Sequence, residues 1–202
     1  MHGEILGTND DACNLYYYLA TKFDEEVVGD AFRKYKIRTT DERWDKSTVF
    51  YQIDDAGKHW AGKIMNYDRN TGKRIKKPYN RIYWVHKLLS RPFQLEQHLF
   101  GEHLLDNSKA NYLVESEKTA LICSIVYPES VWVANGGMNN VNARVLKPLS
   151  EMTRAYAIPD KGAYGYWVDK LQPLGITTLR TLESNGFVKE GMDIADWILT
   201  DK

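Results

Sequence analysis

The sequence predicts an α/β protein in which a mostly parallel sheet flanked by helices follows a smaller, basic unit of β-hairpin and helices. Three observations carry that expectation. After Asp106, short apolar runs alternate with helical patterns, the grammar of βαβ units and a parallel sheet. Before it, two adjacent strand-like runs are separated by turn residues. The 202 residues are 43% hydrophobic and 27% charged with only 6 Pro, enough apolar material for a real core and too little low complexity for disorder. The change of grammar divides the chain into residues 1–108 and 109–202.

The elements follow in order. Leu15, Tyr18, Leu19 and Phe23 share a helical spacing, predicting a helix over 9–22 capped by Asn9 or Asp10. Val27, Val28, Ala31, Phe32 and Tyr35 predict a second, from Glu25 to Tyr35. Val49 to Ile53 and His59 to Tyr67 read as strands around Asp55-Ala56-Gly57, and Asn70-Thr71-Gly72 as a turn. Arg81 to His86 reads as another strand, and the mixed segment from Pro92 to Leu105 as a short helix. Beyond it, strands are expected over Ala110–Val114, Ser130–Ala134, Arg154–Ile158 and Ile176–Leu182. Helices are expected up to Ile125, from Tyr164 to Leu171 and from Asp193 to Leu199, with a polar loop after Gly137.

Composition excludes some classes of function. The apolar run from Thr119 to Pro128 falls far short of the ~20 residues that span a bilayer, and the N-terminus lacks a basic segment followed by an apolar one. Cys13 and Cys123 are too few for a disulfide framework or a cysteine-based zinc site, so a cytoplasmic protein without zinc is expected. His98 and His103, five apart, match no helix face that would make a metal pair.

Net charge is zero, but its distribution is not even. Between Lys58 and Arg91 stand ten bases (Lys58, Lys63, Arg69, Lys73, Arg74, Lys76, Lys77, Arg81, Lys87, Arg91) and one acid, Asp68. Trp60, Tyr67, Tyr79, Tyr83 and Trp84 are interleaved with them. Phosphate neutralisation combined with base stacking holds single-stranded nucleic acid, so this segment is the expected interface. The same residues also fit a solvated hairpin whose aromatics face the core.

In open parallel sheets, ligands bind outside the carboxyl ends of the strands. Glu115, Asn135-Gly136-Gly137 and Asp160 are all expected on that edge. Glu115 and Asp160 could hold magnesium, a hard cation that favours oxygen ligands, and Gly136 and Gly137 would let backbone amides approach a phosphate. Glu115-Ser116-Glu117 also reads as an ordinary strand-to-helix turn with Ser116 as the cap.

Several of these segments resemble one family. Tyr-Leu-Val-Glu-Ser-Glu-Lys-Thr-Ala-Leu (Tyr112 to Leu121) is similar to the first motif of the toprim domain of bacterial-type primases and topoisomerases, with Glu115 in the place of its catalytic glutamate. Val133-Ala134-Asn135-Gly136-Gly137 resembles the family's second strand and glycine turn. Ala157-Ile158-Pro159-Asp160-Lys161-Gly162 resembles its third strand and Asp-x-Asp motif. Gly191-Met192-Asp193-Ile194-Ala195-Asp196-Trp197 is similar to the Lys-Asp-rich turn and short helix that close such domains. Upstream, Thr48 to Lys58 and Phe100 to Leu105 resemble the primase N-terminal subdomain, and toprim-like proteins of bacterial mobile elements look most similar.

The resemblance implies catalytic Glu115 and Asp160, and a magnesium site drawn from Glu115, Asp160, Asp193 and Asp196. It also implies a phosphate turn of Gly136, Gly137, Lys118 and Lys161. One position departs from the pattern, since Gly162 stands where the second aspartate of Asp-x-Asp is usual. The implied partners are single-stranded DNA or an RNA/DNA duplex, with replication or mobilisation proteins. Two functions remain open at this point, magnesium-dependent nucleotidyl transfer and a toprim fold that only binds nucleic acid or protein.

Overall fold

The computed structural model describes residues 8–9, 12–89, 93, 95–137, 140–186 and 188–200. Two compact units partition the chain: Met1–Gln52 with Lys58–Gln97, and Ile53–Gly57 with His98–Lys202.

The first unit carries a five-stranded sheet in the order β1 (Thr8–Asn9), β2 (Arg38–Thr40), β3 (Ser47–Ile53), β4 (His59–Met65), β5 (Ile82–Trp84). Adjacent pairs β1–β2, β2–β3 and β4–β5 run antiparallel, and every residue of β3 is buried. Helix α1 (Asn14–Ala20) is shorter than the sequence predicts. Its N-cap is Cys13, because Asn9 is paired with Thr39 in the sheet and is not a cap; Asp10 lies outside the described residues. Helix α2 (Glu25–Lys34) has the expected end chemistry. The Asp24 carboxylate accepts from the amides of Glu26 at 2.9 Å and Val27 at 3.2 Å, with acids in the first turn and bases in the last.

The turn after β4 is built by one carboxylate. Asp68 accepts from the amides of Asn70 and Thr71 and from the Thr71 hydroxyl, which holds its own carboxyl below the usual range. Gly72 closes the turn at φ 63°, and a Cβ there would lie 2.2 Å from the Tyr18 ring, so only glycine fits. The strand read from Arg81 to His86 ends at Trp84, and a 3₁₀ turn, Val85–Leu88, follows.

The second unit is a four-stranded, all-parallel sheet in the order β7–β6–β8–β9: β6 (Asn111–Val114), β7 (Val131–Ala134), β8 (Ala155–Ala157) and β9 (Thr177–Thr178). Helices α3 (Glu117–Val126), α4 (Ala143–Ser150) and α5 (Tyr164–Leu171) connect successive strands, and α6 (Ile194–Thr200) follows. Leu113, Val133, Ala157, Val145, Leu149, Trp167 and Leu171 form its core. Helix α3 is apolar on nearly all sides because it is buried on nearly all sides, packing on β7, β6 and α6.

Three expectations are corrected here. The segment up to Leu105 forms no α-helix among its described residues. Phe100 pairs antiparallel with Ala134, Gly101 turns the chain at φ 81°, and only the 3₁₀ turn Glu102–Leu104 follows. Pro92 lies outside the described residues. The loop after Gly137 contains α4, whose N-cap Asn142 accepts from the Val145 amide. The strand over Ile176–Leu182 shrinks to Thr177–Thr178, since β9 bonds only along the short β8.

Strand order decides where a ligand can sit. From β6 the chain runs through α3 to β7 on one side, and from the neighbouring β8 through α5 to β9 on the other. The connections leaving adjacent β6 and β8 therefore diverge, the topological switch point of an open α/β sheet.

Candidate active site

Glu115 follows the last residue of β6, and Asp160 lies three residues beyond the end of β8. They thus stand at the carboxyl ends of neighbouring parallel strands, on the two sides of the switch point. Burial pushes the Asp160 carboxyl up to about 7, and the charges of Asp193, Glu115 and Asp196, in that order, add to the push. Acids from three separate stretches of chain, after β6, after β8 and at the start of α6, are therefore close enough to act on the Asp160 carboxyl.

Asp193 has a structural task as well. One carboxylate oxygen accepts from the Asp196 amide at 2.7 Å, capping α6, and the other from the Thr119 hydroxyl at 2.5 Å. Thr119 is in turn held by Ser116, which caps α3 and lies 2.7 Å from the Thr119 hydroxyl. This Ser116–Thr119–Asp193 chain fixes the start of α6 against α3, which is how Asp193 and Asp196 reach Asp160. Asp193 also adds to the burial that raises the Cys123 thiol well above its ordinary value.

The glycine turn is locked to the same edge. The Gly136 amide donates to the Glu115 carbonyl at 2.9 Å, with Gly136 and Gly137 at φ 73° and 136°. Asn135 is fully buried, and its amide group donates to the Gly137 carbonyl. Lys118 is half-buried on the first turn of α3. The Lys161 ammonium donates to the Asn185 carbonyl at 2.8 Å, holding the loop before α6. Gly162 sits at φ 93°, its amide donates to Glu183, and a Cβ there would meet a Glu190 carboxylate oxygen at 1.7 Å. A glutamate side chain thus occupies the space beside Gly162 that any larger residue would need.

In the first unit the basic residues divide by exposure. Lys58, Lys73, Lys76, Lys77 and Lys87 are exposed, with the Lys58 ammonium 3.2 Å over the Trp60 ring and that of Lys87 5.9 Å over Tyr83. Lys63 is buried, its ammonium 5.4 Å over the Trp84 ring across the β4–β5 register. Arg74 and Arg81 are half-buried; Arg81 donates to the Asn66 side-chain Oδ1 at 2.9 Å, and Arg74 pairs with Tyr67 across the turn. Arg91 lies outside the described residues. Sequence reading missed Thr119, whose hydroxyl joins α3 to α6, and Arg43, whose guanidinium stands 4.2 Å over the Tyr83 ring.

Residues 13–161 match the family model of a domain of unknown function, DUF6371. The chain belongs to the DUF6371 family. No curated protein matches it. Among solved structures, this DUF6371 chain is similar to the primase fragment of the bacteriophage T7 primase-helicase protein at 14% identity and TM-score 0.60, covering all of this chain and 73% of that one. It also matches the zinc-binding and RNA polymerase domains of the Aquifex aeolicus primase at 16% identity and TM-score 0.48, over 90% of this chain and 45% of that one. A DnaG primase catalytic domain bound to single-stranded DNA matches at 13% identity and TM-score 0.48, over 88% of this chain and 57% of that one. The likeness to the phage primase fragment shows the fold of the DUF6371 chain, which comprises a parallel sheet flanked by helices and an antiparallel sheet.

Proposed function

We propose that this DUF6371 protein is a primase-like protein of the toprim type. In this reading residues 1–108 hold a single strand of DNA or a DNA/RNA duplex, and residues 109–202 carry magnesium-dependent nucleotidyl transfer. The observation that carries the reading is Asp160, ionising near 7 beside Asp193, Glu115 and Asp196 at the switch point of the sheet. Desolvated carboxylates that repel one another lower stability, and folds retain such strain where a ligand relieves it.

The donor chemistry fits a hard dication. Magnesium is held by one or two carboxylates, with substrate phosphates and water filling the other positions. Among the described residues no three His, Cys, Asp or Glu side chains stand together as a ready metal-binding group. Glu115 and Asp160 would hold the ion, with Asp196 adding charge and Asp193 tied to the cap of α6. When bound, the ion neutralises developing charge on the transferred phosphoryl group. Below about pH 7 Asp160 retains its proton, so cation binding at neutral pH displaces it. The Gly136–Gly137 turn lets a phosphate approach the backbone beside Glu115.

Calorimetry of magnesium binding, with and without a single-stranded oligonucleotide, tests the assignment. Magnesium alone binds weakly, tightens when the strand is present, and tightens the strand by the same factor, because linkage is reciprocal. Glu115→Gln removes the coupling. Metal without effect on DNA binding, in wild type and variant alike, rejects the catalytic reading in favour of a binding module.

A further inference from the structure

Tyr79 is 58% exposed, the most exposed of the large apolar side chains described. It is not isolated. The Trp44 ring lies 6.4 Å away, tilted by 43°, and its indole N–H donates to the Tyr79 hydroxyl at 3.5 Å. The Arg43 guanidinium sits between Tyr83 at 4.2 Å and Trp44 at 5.8 Å. Lys76 and Lys77, beside Tyr79 in the chain, are both exposed.

Trp44 belongs to a loop that no charge count would mark. Residues 41–46 hold Asp41, Glu42 and Asp45 against Arg43 and Lys46. The loop is nevertheless fixed in place. The Asp41 carboxylate accepts from the Lys46 amide at 2.6 Å, and the Ser47 hydroxyl donates to the Trp44 carbonyl at 2.7 Å. Asn66, 2% exposed, donates to the Asp45 carbonyl at 2.9 Å while accepting from Arg81. A buried asparagine thus ties this loop to the basic segment before any ligand arrives, which lowers the ordering cost of binding.

We propose that Trp44 and Tyr79 form a platform on which an unpaired nucleobase stacks, with Arg43 as its cationic backing. The inference rests on the nucleic-acid reading above and adds what that reading leaves open, the site that takes a base as distinct from the lysines that take phosphate. Stacking on aromatic rings is open to every base, and Arg contributes a cation–π term. Bases in a duplex are already stacked on one another, so the platform selects single strands.

The test compares binding of an oligothymidine with that of an abasic strand of equal length and charge. Wild type prefers the oligothymidine by about fivefold or more, the contribution of one stacked base. Tyr79→Ser, at an exposed position, and Trp44→Leu with Tyr79→Ser remove the preference and leave abasic affinity unchanged. Lys76→Ala with Lys77→Ala weakens both strands alike. Equal binding of the two strands by wild type, or loss by the Tyr79 variant of affinity for both, overturns the platform and leaves the basic interface standing. Binding of neither strand overturns the nucleic-acid reading and the platform with it.

Discussion

Replacing Asp160 with asparagine keeps the side chain's shape and removes its charge, so it isolates the electrostatic strain at the strand ends. In the fold this carboxyl ionises near 7, and in the open chain near 3.8. The folded state therefore holds its proton over a range in which the unfolded state has lost it. Stability from this group is fully present below about pH 4 and is lost as pH rises through about 7. At 1.36 kcal/mol for each pH unit, the complete loss is roughly 4 kcal/mol. Screening at the open edge of the sheet leaves on the order of 2 kcal/mol. Urea melts of wild type and Asp160→Asn across this range should converge near pH 4, with the variant more stable by about that amount at pH 8. Saturating magnesium should narrow the gap from the wild-type side. Curves that stay parallel throughout, or a wild type more stable than the variant at pH 8, would refute the clustering of carboxylates.

Other perturbations have equally definite outcomes. Alanine at Lys73, Arg74, Lys76 and Lys77 lowers affinity for single-stranded DNA and flattens the log-affinity against log-salt plot by up to about 0.7 for each lost phosphate contact, read from anisotropy at several salt concentrations. Gly162→Ala costs about 1–2 kcal/mol in urea denaturation, because a Cβ is strained at φ 93° and overlaps Glu190. Glu190→Ala in the same chain recovers the steric part alone. Thr119→Val removes the hydroxyl shared by Ser116 and Asp193, lowers stability by about 1–2 kcal/mol, and speeds amide exchange in the first turn of α6.

The parallel half was the more legible in the sequence, because alternation of buried strand and helix is a strong pattern. Helix α5 spans Tyr164–Leu171 as read, and Val114-Glu115 and Ala157 to Asp160 leave strands where expected. Helix α4 was hidden by Pro148 within it and by the run of asparagines before it, although Asn142 ahead of Val145, Leu146 and Leu149 was the available signal. The apolar spacing in the segment before Leu105 suggested a helix, but Phe100 spends its backbone bonds on Ala134. Which acids converge on Asp160 depends on the hydroxyl link from Thr119 to Asp193, 74 residues apart, which no local pattern encodes. The toprim resemblance marks Gly162 as the place where a second aspartate is usual, but only the fold shows that Glu190 fills the space beside it. Charge counting found the basic segment and overlooked Arg43 and Trp44, because their loop is acidic.

Template-dependent nucleotide incorporation on single-stranded DNA, with and without magnesium, in the wild type and in Glu115→Gln, tests the central claim most directly. The switch-point carboxylates predict short products that require magnesium and vanish in the variant, while the variant still binds the template. Template binding with no products from the wild type under any metal condition, or products that persist undiminished in Glu115→Gln, would contradict it.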